Sequence, residues 1–457
     1  MAMPETVVEL DRRHLWHPFT QQREWCLEQP LVIERAEGSD LIDSDGRRYI
    51  DGVSSLWCNV HGHRHPLIDR AVREQLDRVA HSTMLGLTHR GAAELAARLT
   101  ALAPPGLSRV FYSDSGSSAT EVALKMAFQY WRQRGGQHAR RTRFVCLRGA
   151  YHGDTLGAVS VGGIDPFHAA YSPLLFGAHR VVPGDVEQLE RVLDFHAEEI
   201  AAVIVEPLVQ GAAGIQLQPP GYLRAARELT RHHDVLLICD EVATGFGRTG
   251  TMFACEQERV APDFLCLGKG LTGGYLALAA TLTTERVYEG FLGDPEDGRT
   301  FFHGHTFTGN PLACAAALAN LDAFECESTL LRLQPKIRRL GELLAEVARM
   351  PEVAEVRGRG FMVGIDLGEQ EPALRLGHRV ALEARERGAI VRPLGDVVVL
   401  MPPLTIPMAD LQRLVEIVAD SIRAASHKTC GQAEKPAALD SAAAAPEQAP
   451  DEVPRAA

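Results

Sequence analysis

The sequence predicts an α/β protein, with a mainly parallel sheet in a large domain and a smaller α+β domain drawn from both chain ends. Three observations carry this. Between about residues 95 and 283, short apolar runs alternate with helical stretches. Several of those runs are apolar at successive positions, as a strand covered on both faces by helices must be. Each of the first five also ends in a polar or glycine-rich segment, which is where open α/β sheets hold their ligands.

The runs are 109–113 (RVFYS), 143–147 (RFVCL), 201–206 (AAVIVE), 235–240 (VLLICD), 264–268 (FLCLG) and 276–283 (LALAATLT). The segments after the first five are DSGSS, GAYHGDT, EPLVQGAAG, DEVATGFGRTG and GKGLTGG. Residues 61–330 are expected to form the large domain. Residues 1–60 read as short strands and turns, including a D-G turn at Asp45-Gly46. Residues 331–427 read as an arginine-rich helix, short strands (RGFMVGIDL, AIVRPL, VVVLMPP) and a closing helix. These two parts are expected to make up the small domain. Residues 428–457 are rich in Ala, Pro and Glu with few large apolar side chains, and disorder is expected there.

Composition narrows the function. A net charge of −12 without a local basic patch argues against nucleic-acid or anionic-membrane partners. No apolar run is long enough to cross a bilayer, and the first residues lack a signal-peptide core, so a cytosolic protein is expected. Nine cysteines without a C-x-x-C pair point to neither disulfides nor a thiolate metal centre.

Only five lysines occur, so each can be weighed. Lys125 and Lys336 lie in helical stretches and read as solvated surface charges, while Lys428 and Lys435 lie in the tail. Lys269 alone follows an apolar strand and has glycine on both sides (LCLGKGLTGG). Desolvation at a strand end lowers an amine's pKa, as nucleophilic amine chemistry requires. Taken alone, Lys269 reads equally well as a surface lysine in a glycine loop.

Its neighbours match what pyridoxal phosphate asks of a protein: an amine, a carboxylate for the pyridine nitrogen, a phosphate cradle and apolar cover for the ring. Asp240 ends the run VLLICD, where an unpaired carboxylate is costly unless it meets a cation; the alternative is a loop cap. The segment 114–118 (DSGSS) joins a strand to a helix. Gly116 and Ser117 are the expected phosphate contacts, with Ser115 beside them, although a plain helix cap explains the serines equally well. Tyr151 is the candidate stacking aromatic, with His152 beside it, and Thr306 in FFHGHTFTGNP is a candidate second phosphate contact. Ordinary loop packing is the competing reading of both.

Two other motifs compete. Residues 245–250 (GFGRTG) match G-x-G-x-x-G, the fingerprint of a nicotinamide enzyme. They do not follow their strand directly, however, and leave too little room for a crossover helix. His61, His63 and His65 lie close together but without nearby carboxylates in sequence, so structural histidines are expected rather than a metal site.

With these residues placed, the chain resembles the class III aminotransferases of fold type I from about residue 10 to 425. The segment DEVATGFGRTG followed by GKGLTGG is highly specific to them. HLWHPFTQ, DGVSSLWCNVHGH, SDSGSSATEVALKMAFQYW, GAYHGDTLGAVSVG, FFHGHTFTGNPLACAAAL and VRPLGDVVVLMPP are similar to the biotin-pathway branch. That resemblance implies transamination of 8-amino-7-oxononanoate to 7,8-diaminononanoate, with S-adenosyl-L-methionine or L-lysine as donor. Other ω-aminotransferase substrates (ornithine, 4-aminobutyrate, a diamine) are the alternative within the class. It also implies a homodimer with shared sites, Gly304 and Thr306 acting on the partner's cofactor. Arg392 would hold the substrate carboxylate, as suits a guanidinium. Glu206, Gln210 and Val242 would line the cofactor pocket, and Phe19, Leu56, Trp57 and Tyr151 would contact substrate. Phe19 and Leu56 stand where many members carry Tyr and Trp, and this form looks closer to the lysine-using branch.

Overall fold

The computed structural model describes residues 6–430. Its central sheet has seven strands: β1 (Leu107–Ser113), β2 (Arg143–Leu147), β3 (Ala178–Val181), β4 (Ile200–Val205), β5 (Leu236–Asp240), β6 (Phe264–Leu267) and β7 (Ala279–Thr284). They lie in the order β1-β7-β6-β5-β4-β2-β3. The pairs from β6 across to β3 are parallel, while β7 is antiparallel to both β6 and β1. Every strand except β7 therefore runs the same way, and six carboxyl ends share one edge.

Burial explains why these runs become strands. All six residues of β4 and all five of β5 are buried. On one face Ile204, Ile238 and Cys266 pack against Ala119, Ala123 and Ala127 of the helix Gly116–Arg134. On the other, Val203, Val205, Leu237 and Leu265 join the main core. Two boundaries differ from expectation. The last strand starts at Ala279 rather than 276, after the turn that follows Lys269, and the edge strand β3 carries too mixed a sequence (AHRV) to announce itself.

Segments from both chain ends share a second sheet. Ile33–Glu37, Asp40–Asp43 and Arg48–Asp51 form an antiparallel meander, and Arg48–Asp51 also pairs in parallel with Ala389–Ile390. The expected D-G turn lies inside this meander, with Gly46 at φ +80°, a value that favours glycine. A third sheet orders Glu355–Arg359, Met362–Asp366, Val397–Leu400 and Arg392–Leu394. The closing helix Met408–Cys430 extends past the boundary expected at 428; the rest of the expected tail, 431–457, lies outside the described residues. Among the described residues no helix is long and apolar enough to cross a membrane.

Candidate active site

Loops leaving the shared carboxyl edge close around a cavity of about 460 Å³, and Trp57 is brought to it from the N-terminal region. Lys269, Asp240, Ser115, Gly116, Ser117, Tyr151, His152, Glu206, Val242 and Trp57, all expected at the site, line it together.

Lys269 opens the short turn after β6 at φ +41°, with its Nζ 4.6 Å from the centre of the Trp57 ring. Burial lowers its pKa, while the negative charges of Asp240 and Glu206 oppose that shift. The flanking glycines serve loop packing. A Cβ on Gly268 would lie 3.3 Å from Val242 Cγ1, and one on Gly270 only 2.9 Å from the Phe246 Cβ. The loops after β5 and β6 meet there without intervening side chains.

Asp240 sits at the end of β5 and is 4% exposed. Its Oδ2 is 2.7 Å from His152 Nδ1, and its Oδ1 accepts from the Val242 amide at 3.0 Å. His152 is thus an Asp240 partner first, and its Nε2 is buried without a hydrogen bond. Its neighbour in sequence, Glu241, faces away: its oxygens accept the Ala254 and Cys255 amides at 2.7 and 2.8 Å.

Glu206 accepts from the amides of Tyr151 (3.0 Å) and Gly211 (2.9 Å). Burial raises its carboxyl pKa from 4.5 to about 7. Tyr151 donates to Asp154 Oδ2 at 2.8 Å, and burial raises its phenol pKa. At the start of Gly116–Arg134, Ser115 caps the Ser118 amide, leaving the Gly116 and Ser117 amides without an intrahelical acceptor. Ser117 Oγ bonds Thr155 Oγ1 at 2.8 Å, tying the helix start to the 151–155 loop. Gly153 permits that approach: at φ +115°, a Cβ there would lie 2.3 Å from the Ser117 Cβ.

These residues fit pyridoxal phosphate on structural grounds. The cavity offers an amine of lowered pKa, a buried carboxylate braced by a histidine, open amides at a helix N-terminus, and cover from Val242 and Tyr151.

Other expected residues lie outside the cavity. Gln210 is buried behind it, donating to the Arg148 carbonyl at 3.0 Å. Phe19 packs edge-on to Phe167 (5.5 Å), which in turn meets Tyr151 edge-on (6.4 Å). Leu56 is exposed beside Trp57. Gly304 and Thr306 are exposed in the loop before the helix Pro311–Cys326. Arg392 is exposed on a strand paired with Val399, which packs in the cluster around Trp57. Sequence reasoning missed Gly153, Asp154, Thr155, Ala212 and Ala243, although the first three complete the GAYHGDT segment and the other two lie in EPLVQGAAG and DEVATGFGRTG.

The competing motifs resolve physically. In GFGRTG, Phe246 and Arg248 are buried, and Arg248 donates to the Pro402 carbonyl at 2.6 Å, so the segment packs against 401–404 instead of opening a helix. His61 meets the Asn320 carbonyl, His63 meets Asp51 and His65 meets Glu327. Lys336 corrects the surface reading: it is half-buried and donates to the Leu404 carbonyl at 3.0 Å. Lys125 is exposed, as expected, 3.0 Å from His303.

Comparison with known proteins agrees with this geometry. Residues 22–422 match the family described as aminotransferase class-III. An adenosylmethionine-8-amino-7-oxononanoate aminotransferase of Nitratidesulfovibrio vulgaris is 58% identical, over 90% of this chain and 81% of that protein. The crystal structure of an enzyme of the same name from Methanocaldococcus jannaschii superposes with a TM-score of 0.90 at 42% identity, covering 92% of this chain and 98% of that one. An amine transaminase from an uncultivated Pseudomonas species, in its PLP-bound form, superposes with a TM-score of 0.85 at 37% identity, covering 90% and 99%.

Proposed function

The chain belongs to the class III aminotransferases, and on that premise we propose that it aminates 8-amino-7-oxononanoate to 7,8-diaminononanoate in biotin biosynthesis. The cofactor is pyridoxal phosphate, and the donor is S-adenosyl-L-methionine or L-lysine. The observation that carries the reading is the meeting of Lys269 and Asp240 in one cavity at the carboxyl edge of the sheet. The 58% identity to a relative named for this substrate supports the specific reaction.

When bound, the cofactor supplies an electron sink for the carbon that loses or gains the amino group. The protein's own residues do the rest. Lys269 anchors the cofactor and then carries a proton off the donor carbon and returns one to the acceptor, work that suits an amine of lowered pKa. Asp240, braced by His152, holds the ring nitrogen protonated. The Gly116 and Ser117 amides and Ser115 hold the phosphate; Val242 and Tyr151 cover the ring, and Glu206 lines the pocket. Trp57, with Phe19 and Leu56 nearby, walls the substrate channel, and Arg392 holds the far carboxylate of the acceptor.

A cytoplasmic homodimer with shared sites is part of this proposal. Exposed large apolar side chains support the dimer, among them Trp16 (88%), Leu85 (83%) and Phe302 (83%). Gly304 and Thr306, open to solvent in one subunit, would face the partner's cofactor.

The test is a donor screen with 8-amino-7-oxononanoate as acceptor, adenosylmethionine against lysine. Product with either donor supports the reading, and Phe19→Tyr and Leu56→Trp should shift the preference between them. Turnover of simple amines or 4-aminobutyrate, with no product from this acceptor, would move the chain to another branch of the class.

A further inference from the structure

Ser54, Ser55, Leu56 and Trp57 all have left-handed backbone, with φ of 47°, 41°, 69° and 73°. L residues avoid this region because Cβ crowds the carbonyl oxygen, and no glycine occupies any of the four positions. Such a run persists only where its surroundings over-determine it.

Here the surroundings converge on Asp51. It ends the strand Arg48–Asp51 and is fully buried. Its Oδ2 accepts from the Ser55 amide at 2.7 Å and the Ser55 hydroxyl at 2.9 Å, while Oδ1 accepts from the Val53 amide at 3.3 Å. The remaining donor is His63 Nε2, 2.9 Å from Oδ2. The other nitrogen of that ring lies 2.8 Å from the Asn59 side-chain amide, so the imidazole is gripped from both sides. On the far flank of the bend, the Ser54 hydroxyl donates to the Met401 carbonyl.

The bend presents Trp57 to the cavity. The indole is 7% exposed, with its ring centre 4.6 Å from Lys269 Nζ and its edge against Gly211, where a Cβ would lie 3.1 Å away. Its Nε1 is buried and makes no hydrogen bond. No hydrogen bond fixes the ring; it packs in the apolar cluster with Leu208, Val209 and Met401, and the bend sets where the indole enters that cluster. Neither Asp51 nor His63 lines the main cavity; His63 lines a separate one with Asn59 and Arg64.

We propose that Asp51 and His63 are positioning residues, which hold the left-handed bend and through it keep the Trp57 indole over the Lys269 amine. The proposal rests on the reading of Lys269 as the cofactor lysine. With the pair broken, the bend relaxes, the indole leaves its seat, and the acceptor loses the wall that places it beside the amine.

The experiment compares cofactor-loaded Asp51→Asn, His63→Leu, His63→Gln and Trp57→Phe chains, each checked for folding by thermal melting. Trp57 emission is isolated as the difference between matched chains with and without Trp57→Phe. The expected result is that Asp51→Asn and His63→Leu open this component to acrylamide quenching. Both should also raise KM for 8-amino-7-oxononanoate about tenfold with a smaller change in kcat, and Asp51→Asn should add almost nothing on top of Trp57→Phe. His63→Gln, whose amide can still donate to Asp51, should recover most of the loss. Unchanged quenching in folded variants, or effects that add independently of Trp57→Phe, would overturn the proposal. If Asp51→Asn fails to fold, the two His63 variants decide. If the parent chain carries no cofactor on Lys269, the functional reading falls, while quenching in the cofactor-free chains still decides the positioning role.

Discussion

His152 Nδ1 lies 2.7 Å from Asp240 Oδ2, and the far nitrogen of the same ring is buried without a partner. The histidine therefore acts on the site through the carboxylate. Asp240→Asn should lower kcat by about two to three orders of magnitude, the scale of a lost preorganised charge in a buried site. His152→Leu should cost less, and the double variant should be no worse than Asp240→Asn alone. Steady-state kinetics on the three variants checks this, and additive losses would separate the two residues.

Glu206 gives a pH signature. Its carboxyl pKa is raised by burial from 4.5 to about 7 in the folded chain. The folded state thus keeps a proton that the unfolded state releases first, so this group's contribution is complete below pH 4.5 and is lost as pH rises through about 7. Across that window the parent chain should lose up to about 3 kcal/mol relative to Glu206→Gln. Glu241 is raised to about 7 as well, but it is common to both chains and cancels. Denaturant unfolding of both chains at several pH values measures the difference; a gap that does not narrow as pH falls would contradict the assignment.

Gly153→Ala should damage the proposed phosphate cradle. The new Cβ would lie 2.3 Å from the Ser117 Cβ, at a φ of +115° that alanine resists. A loss of about 1–3 kcal/mol of stability is expected, together with weaker retention of the cofactor on dialysis. Gly106→Ala, at φ +99° with nothing within 4 Å of its Cβ, controls for backbone strain alone.

Arg392 is exposed, so Arg392→Ala should change stability by no more than about 0.5 kcal/mol. It should still raise KM for 8-amino-7-oxononanoate about tenfold or more, as loss of a charge-assisted pair does. Simple amine donors without a carboxylate should be unaffected. A KM equal to that of the parent would remove Arg392 from the substrate site.

Much of this was legible in the sequence because burial on both faces leaves an unbroken apolar record. Ile200–Val205 and Leu236–Asp240 announce themselves, and their ends place Glu206 and Asp240. The edge strand Ala178–Val181 leaves no such record. Lys269 stood out by elimination, but the reason for its glycines did not: only the fold shows Val242 and Phe246 pressed against them. The left-handed bend at Ser54–Trp57 contains no glycine to signal it, and the Asp51–His63 contact joins residues that no local pattern links. Lys336 misled because a helix position reads the same whether its amine meets water or, as here, the Leu404 carbonyl.

Whether Lys269 carries the cofactor is decided by borohydride reduction of the loaded protein followed by peptide mass analysis. A reduced pyridoxyl adduct is expected on the peptide containing Lys269, and none in Lys269→Ala. An adduct on Lys125 or Lys336 in its place, or one that persists at full yield in Lys269→Ala, would contradict that assignment.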